Sequence, residues 1–206
     1  MKQALKLTLI ASGPTRHNLF ARVPKLASSL GPIRATSPRT ATRAATLFRG
    51  GWAAESWGEA LSSPLIVVQT AGPKLFAEMQ ALGKAWRDRI VLACDAEADL
   101  RPLALLESYG AIVVHLHFVD PREPLVALSG DSSGAARARR FLADAGIRCL
   151  TIRDGAGPAL LASIDLLEER IAIALREGDR AFLRAGLRRP EARLVGVGTA
   201  LRALRR

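Results

Sequence analysis

Short apolar runs alternate with stretches whose apolar positions recur every three or four residues along most of the chain. Leu5–Ile10, Ile33–Thr36, Pro64–Thr70, Arg89–Cys94, Ala111–Phe118, Leu125–Gly130 and Arg148–Ile152 predict strands, with a weaker one at Trp52–Ala54. Between the first two, Phe20, Val23 and Leu26 or Leu30 recur on one side and predict a helix from about Thr15 to Leu30, kinked at Pro24 and stopped by Gly31-Pro32. Ser37-Pro38 supplies a cap and first-turn pair for a second helix ending near Gly50-Gly51. Further helices are expected around Trp57–Leu61, from Gly72-Pro73 through Trp86, over Leu100–Tyr109 and over about Ser132–Ala145. This alternation predicts an α/β domain, a doubly wound and mostly parallel sheet covered on both faces. Beyond Gly155-Ala156-Gly157-Pro158 the strand signal stops, and Leu160, Ile164, Leu167, Ile171 and Leu175 mark a helical stripe. The expected organisation is residues 1–155 as the sheet domain and 156–206 as a short C-terminal helical extension.

Composition narrows the class. With 206 residues, 49% hydrophobic and 24% charged, the chain reads as a globular domain with an appendage. No apolar run approaches the roughly 20 residues that span a bilayer, and the N-terminus lacks a signal-peptide pattern, so no membrane association and a cytoplasmic location are expected. Cys94 and Cys149 end separate apolar runs and read as free thiols. Thirty basic residues against 19 acidic ones give a net charge of +11, which attracts polyanions. Much of the excess is arginine, at Arg137, Arg139, Arg140, Arg184, Arg188, Arg189, Arg193, Arg202, Arg205 and Arg206. Nucleic acid is the weaker reading of that charge beside a solvated helix face, because aromatic side chains are scarce nearby and no recognised reading motif accompanies it.

The opening, Leu5-Lys6-Leu7-Thr8-Leu9-Ile10-Ala11-Ser12-Gly13-Pro14-Thr15-Arg16, reads as buried strand, tight turn and helix start, and resembles the unit that holds a dinucleotide pyrophosphate in Rossmann proteins. The G-x-G-x-x-G template falls on Ala11, Gly13 and Arg16, so only the middle glycine is present and the fold signal exceeds the cofactor signal. Ser12, Gly13, Thr15 and Arg16 could still form an anion site from backbone N–H groups and the Arg16 charge. After the second strand no Asp or Glu occupies Ala35, Thr36 or Ser37, where an acid would receive the ribose hydroxyls of NAD. Arg39 and Arg43 follow instead, and an arginine fork suits a 2′-phosphate, which favours NADP. The alternative is that both arginines only solvate the helix and the domain persists as a scaffold or ligand sensor without its cofactor.

The order of the pieces over roughly residues 4 to 155 resembles the Rossmann-like N-terminal domain of the 6-phosphogluconate dehydrogenase-like superfamily. Within it the likeness is to pyrroline-5-carboxylate reductase and a less characterised oxidoreductase family with the same NADP-binding half. Ser37 to Ala44 looks like the segment after that group's second strand, Leu65 to Thr70 like its fourth strand, His115-Leu116-His117-Phe118 like its histidine-bearing strand, and Gly130-Asp131 with the Arg137-Arg139-Arg140 helix like its final strand and helix. The resemblance implies an NADP-dependent oxidoreductase that transfers hydride to or from a small unsaturated or carbonyl-like molecule. Ser12, Gly13, Thr15 and Arg16 would hold pyrophosphate, Ser37, Arg39 and Arg43 would lie at the adenosine 2′-phosphate, and Gln69 and Thr70 would line the nicotinamide. The C-terminal part is short for such families, so its helices are expected to pack on a second subunit and make a homodimer.

His115 and His117, two apart on a strand, face the same side. A metal would need a third ligand, and only Asp120 is near in sequence, so satisfied structural histidines are the expectation, beside a proton-transfer role for His117 at the strand end. Asp95, Glu97 and Asp99 read as a loop patch or helix cap rather than paired catalytic carboxylates. Catalytic residues and substrate are not indicated.

Overall fold

The structure is a computed structural model that describes residues 6–12, 19–69, 71–94, 101–120 and 125–203. The chain divides into two compact units, Met1–Pro158 and Ala159–Arg206. In the first, eight strands form one sheet: β1 (Leu7–Ala11), β2 (Leu30–Arg34), β3 (Trp52–Ala53), β4 (Leu65–Gln69), β5 (Ile90–Ala93), β6 (Ile112–Asp120), β7 (Leu125–Gly130) and β8 (Arg148–Thr151). Its order is β3-β2-β1-β4-β5-β6-β7-β8, and every neighbouring pair is parallel except β6 and β7. The first six strands thus follow the doubly wound order 3-2-1-4-5-6, whose reversal falls between β1 and β4. An α/β fold with a sheet of this kind is what the alternating pattern predicts.

Every residue of β1, β4 and β5 is buried, as expected of central parallel strands covered on both faces. Alternate residues divide into two cores. On one face Leu7, Leu9, Leu65, Val67, Leu92, Val114 and Leu128 pack beneath α1 (Leu19–Arg22), α2 (Pro38–Phe48) and α6 (Ser132–Asp144). On the other, Ile10, Ile66, Val68, Val91 and Val113 pack beneath α4 (Pro73–Ala81), α5 (Arg101–Ser108) and Trp86. Each fully buried aliphatic side chain contributes roughly 1.5–3 kcal/mol. Two polar side chains that enter these cores are bonded to backbone carbonyls: Thr8 Oγ1 donates to the Ala60 carbonyl at the end of α3 (Trp57–Ala60), 2.7 Å, and Trp86 Nε1 to the Met79 carbonyl, 2.7 Å.

The segment between β1 and β2 departs from expectation. In place of one helix reaching Leu30, the described residues form the four-residue α1 and then a 3-10 helix, Pro24–Ser29. Pro24 has no N–H to continue α1 and opens the second helix at its first turn. Gly31-Pro32 does not end a helix; it lies inside β2. Leu7 pairs with Leu30 but Leu9 with Ile33, so β2 carries one extra residue there, and a bulge is where a strand accommodates a proline. Likewise the helix expected from Pro73 through Trp86 is divided, because Gly83 takes φ +47° and a 3-10 turn, Gly83–Trp86, follows α4.

The second unit comprises most of α7 (Gly157–Arg184) together with α8 (Arg189–Ala203). The two helices meet at Gly196, where an added Cβ would lie 3.3 Å from Asp179 and 3.9 Å from Leu175 and Phe182. Ala192 is buried, whereas Leu166, Leu167, Leu194, Val197 and Leu201 are exposed. Among the described residues no helix is long and apolar enough to cross a membrane.

Gly51 and Gly155 allow the backbone constraint to be separated from the steric one. Both have φ near +70° (+73° and +71°), but a Cβ at Gly51 would lie 2.4 Å from the Gly31 carbonyl oxygen, whereas one at Gly155 would meet nothing within 4 Å. Gly155→Ala should therefore cost about 1–2 kcal/mol, the left-handed penalty alone, and Gly51→Ala clearly more. Urea unfolding of the two variants checks this; equal losses would show that β2 yields to the added carbon.

Candidate functional site

The reversal of strand order falls between β1 and β4, and in open α/β sheets ligands bind outside the C-terminal ends of the strands at such a point. Register places Ile10 beside Arg34 and Ala11 beside Gln69, so Ser12, the Ala35–Ser37 turn and Gln69 share that end of the sheet. Thr36 Oγ1 donates to the Ser12 carbonyl at 3.3 Å, tying the ends of β1 and β2 together.

Ser37 caps α2 as its sequence suggests. Its Oγ accepts the Thr40 N–H at 3.2 Å and lies 2.9 Å from Thr40 Oγ1, with Pro38 in the first turn. Arg39 and Arg43 follow four residues apart on α2, both exposed. The first turn of α2 has no acidic residue. Among the described residues the ion pairs are Arg34–Glu78 and Arg87–Asp88, so neither Arg39 nor Arg43 is neutralised by a carboxylate. Two uncompensated guanidinium groups beside a helix start suit a phosphate.

Arg34, the last residue of β2, is committed elsewhere. Its Nη2 donates to Glu78 Oε2 at 3.0 Å, Trp57 Nε1 donates to the same oxygen at 3.1 Å, and its guanidinium carbon lies 5.0 Å from the centre of the Trp57 ring. The Arg34 hydrogen bond, helped by Trp57 and opposed by burial, holds the Glu78 carboxyl below the usual carboxylate range. Arg34 thus fastens β2 to α3 and α4.

Gln69 is buried, and its Oε1 accepts the Leu19 N–H at 3.2 Å, joining the end of β4 to the start of α1. Gly13, Thr15, Arg16 and Thr70 lie outside the described residues, as do Asp95, Glu97 and Asp99. The structure therefore brings Ser12, Ser37, Arg39, Arg43 and Gln69 to one end of the sheet. It adds two residues that sequence reasoning missed, Thr36 and Thr40. Their signal was the Thr36-Ser37-Pro38-Arg39-Thr40 cluster, whose hydroxyls can bond locally to backbone.

The histidines lie on β6 with ring centroids 6.5 Å apart. His117 is buried, with Nε2 3.3 Å from Ser129 Oγ on β7, and burial together with His115 pushes its imidazole below the ordinary value. His115 departs from the expectation of a satisfied histidine: its Nδ1 is buried without a hydrogen-bond partner. Among the described residues no three His, Cys, Asp or Glu side chains gather as a metal site would, and no disulfide joins Cys94 to Cys149.

No protein-family model and no curated protein matches the sequence. Solved structures do match the fold. A Pseudomonas putida KT2440 protein entitled "putative oxidoreductase" superposes with a TM-score of 0.69 at 20% identity, over 97% of this chain and 72% of that one. An imine reductase from Aspergillus terreus, in complex with NADPH4 and dibenz[c,e]azepine, gives 0.65 at 18% identity over 98% and 74%. A pyrroline-5-carboxylate reductase from Coxiella burnetii gives 0.57 at 13% identity over 98% and 79%. At these identities the likeness establishes the architecture: the chain has the Rossmann-like α/β fold of these structures, with a C-terminal helical part.

Proposed function

We propose that the chain binds NADP(H) and serves as an oxidoreductase acting by hydride transfer on a small unsaturated or carbonyl-like molecule. The observation that carries this reading is the start of α2, where Ser37 caps the helix, Arg39 and Arg43 stand exposed with no carboxylate partner among the described residues, and no acid occupies the first turn. An acid there would accept hydrogen bonds from a ribose 2′-hydroxyl and repel a 2′-phosphate, whereas paired guanidinium groups attract the phosphate. The fold it shares with the reductases above adds to this reading.

In this reading Arg39 and Arg43 grip the 2′-phosphate, Ser37 and Thr40 fix the helix turn that presents them, and Ser12, Gly13, Thr15 and Arg16 supply the pyrophosphate end. Thr36 holds β1 and β2 in register at that end through Ser12. Gln69 positions α1 through the Leu19 N–H, with Thr70 next along the chain toward the nicotinamide. When bound, the nicotinamide would supply the hydride, and the protein's part is to orient it. Cys94 and Cys149, not joined by a disulfide, fit a cytoplasmic setting.

A scaffold without cofactor is the second reading. Its support is that the Leu19 N–H is taken by Gln69, so this backbone donor is not open to an anion. Thermal shift separates the two. NADPH should raise the melting temperature more than NADH, since a ligand selective for the native state stabilises it by mass action. Arg39→Ala with Arg43→Ala should remove that preference and leave the ligand-free melt within about 0.5 kcal/mol, as for exposed surface changes. No shift with any of the four nicotinamide dinucleotides at millimolar concentration selects the scaffold.

The assembly proposed is a homodimer through the C-terminal helices. Leu194, Val197 and Leu201 recur at three- and four-residue spacing on α8 and are 76%, 42% and 53% exposed. A contiguous apolar stripe of this kind is costly to leave in water. Light scattering should give a dimer for the full chain and a monomer for Leu194→Glu with Leu201→Glu. A dimer that survives both charges would place the interface elsewhere.

A further inference from the structure

Gly157 packs directly against the His117 ring of β6. A Cβ built on Gly157 would fall 2.1 Å from His117 Nε2, 2.2 Å from Cε1 and 2.8 Å from Cδ2, so the imidazole occupies the space that any side chain at 157 would need. Gly157 is itself buried and begins α7, one residue before the chain passes from the first compact unit to the second. The turn leading to it, Ile152 to Ala156, is partly exposed or exposed throughout, and its internal bonds are Ala156 N–H to the Arg153 carbonyl and Gly155 N–H to the Asp154 carboxylate. Ile152 N–H also reaches the Leu128 carbonyl. That bond and the packing of Gly157 against the His117 ring both hold this turn to the sheet.

We infer that His117 is a proton-operated latch: its neutral ring seats Gly157 against β6, and protonation releases the turn that leads into α7. Among the described residues, burial and the neighbouring His115 both disfavour a charge on the ring. From its own strand comes His115, whose Nδ1 has no partner. From β7 comes the Ser129 hydroxyl, uncharged and within 3.3 Å of Nε2. From the turn comes Gly157, without a side chain, while Arg153 and Asp154 of that turn are exposed. Among the described residues no carboxylate forms a hydrogen bond or ion pair with His117. The first residue of a 28-residue helix adds the positive end of a helix dipole next to the ring. Burial and the neighbouring His115 accordingly lower the pKa of His117.

The sign follows. With the latch closed His117 titrates below its ordinary value of 6.5, and with the latch open the ring reaches water and returns toward that value. Closure is therefore favoured above about pH 6.5 and lost as the pH falls below it. Between the two pKa values the open fraction rises by up to about tenfold per pH unit.

Amide hydrogen exchange of the full chain, corrected for the intrinsic effect of pH, should show residues 153–158 losing protection between pH 7.5 and 5.5 while β1 and β4 keep theirs. In His117→Phe, which keeps a ring but cannot take a proton, that pH dependence should vanish. Should the Phe variant not fold, the Cε1 proton of His117 in the natural chain gives its pKa by NMR titration. A midpoint below 6.5 supports the latch and a midpoint at or above 6.5 overturns it. Unchanged protection of residues 153–158 on acidification, or the same pH dependence in the Phe variant, also overturns it.

Discussion

Strand β1 is hydrogen-bonded on both edges, to β2 on one side and β4 on the other, and both of its faces are buried. Because it is a parallel strand at the centre of the sheet, no side chain on it can be solvated, and the chain must leave it by crossovers that lie over the sheet. The crossover to β2 lays α1 over one face, α2 joins it there after β2, and α4 and α5, later in the chain, cover the other. The two connections diverge where β1 meets β4. The placement of Ser12, Ser37, Arg39, Arg43 and Gln69 at one end of the sheet follows from that divergence, whatever ligand the site receives.

Polar fastenings then fix what burial leaves adjustable. Thr8 holds α3, Thr36 holds the end of β1, Gln69 holds α1, and the Arg34–Glu78–Trp57 cluster holds β2 against α3 and α4. On the far side of the sheet the Asp131 carboxylate accepts hydrogen bonds from Ser133 and Gly134, which cap α6 and hold its pKa below the usual carboxylate range. Gly134 lets α6 approach β6 so closely that a Cβ would lie 2.3 Å from Ile112 Cγ2. The glycine that permits tight helix-to-strand packing, absent at Arg16 in the first turn, is therefore present at the last one.

The strands were legible in the sequence because each is an apolar run bounded by turn residues, and even the two-residue β3 left its trace in Trp52-Ala53. The segment from Leu19 to Ile33 was not, for a physical reason. Its apolar spacing fits a helix, but Pro24 interrupts the hydrogen-bond ladder and Gly31-Pro32, ordinarily a stop, is absorbed by a β-bulge that only the pairing with β1 creates. Ser37 as a helix cap and the exposed arginines of α2 could be read locally. The commitment of Gln69 to Leu19 and of Arg34 to Glu78 could not, because each joins residues more than forty positions apart. The same holds for His117 and Gly157, whose contact depends on the turn after β8 returning to β6.

The central claim is that the start of α2 receives a phosphate on an adenosine ribose. Amide chemical-shift mapping with adenosine 2′,5′-bisphosphate, which carries that phosphate without the nicotinamide half, tests it most directly. The account predicts that the largest perturbations fall on residues 36–43, with those of 5′-AMP smaller at the same amides. Perturbations confined to the arginines of α6 or α8, or of equal size with both nucleotides, would contradict it.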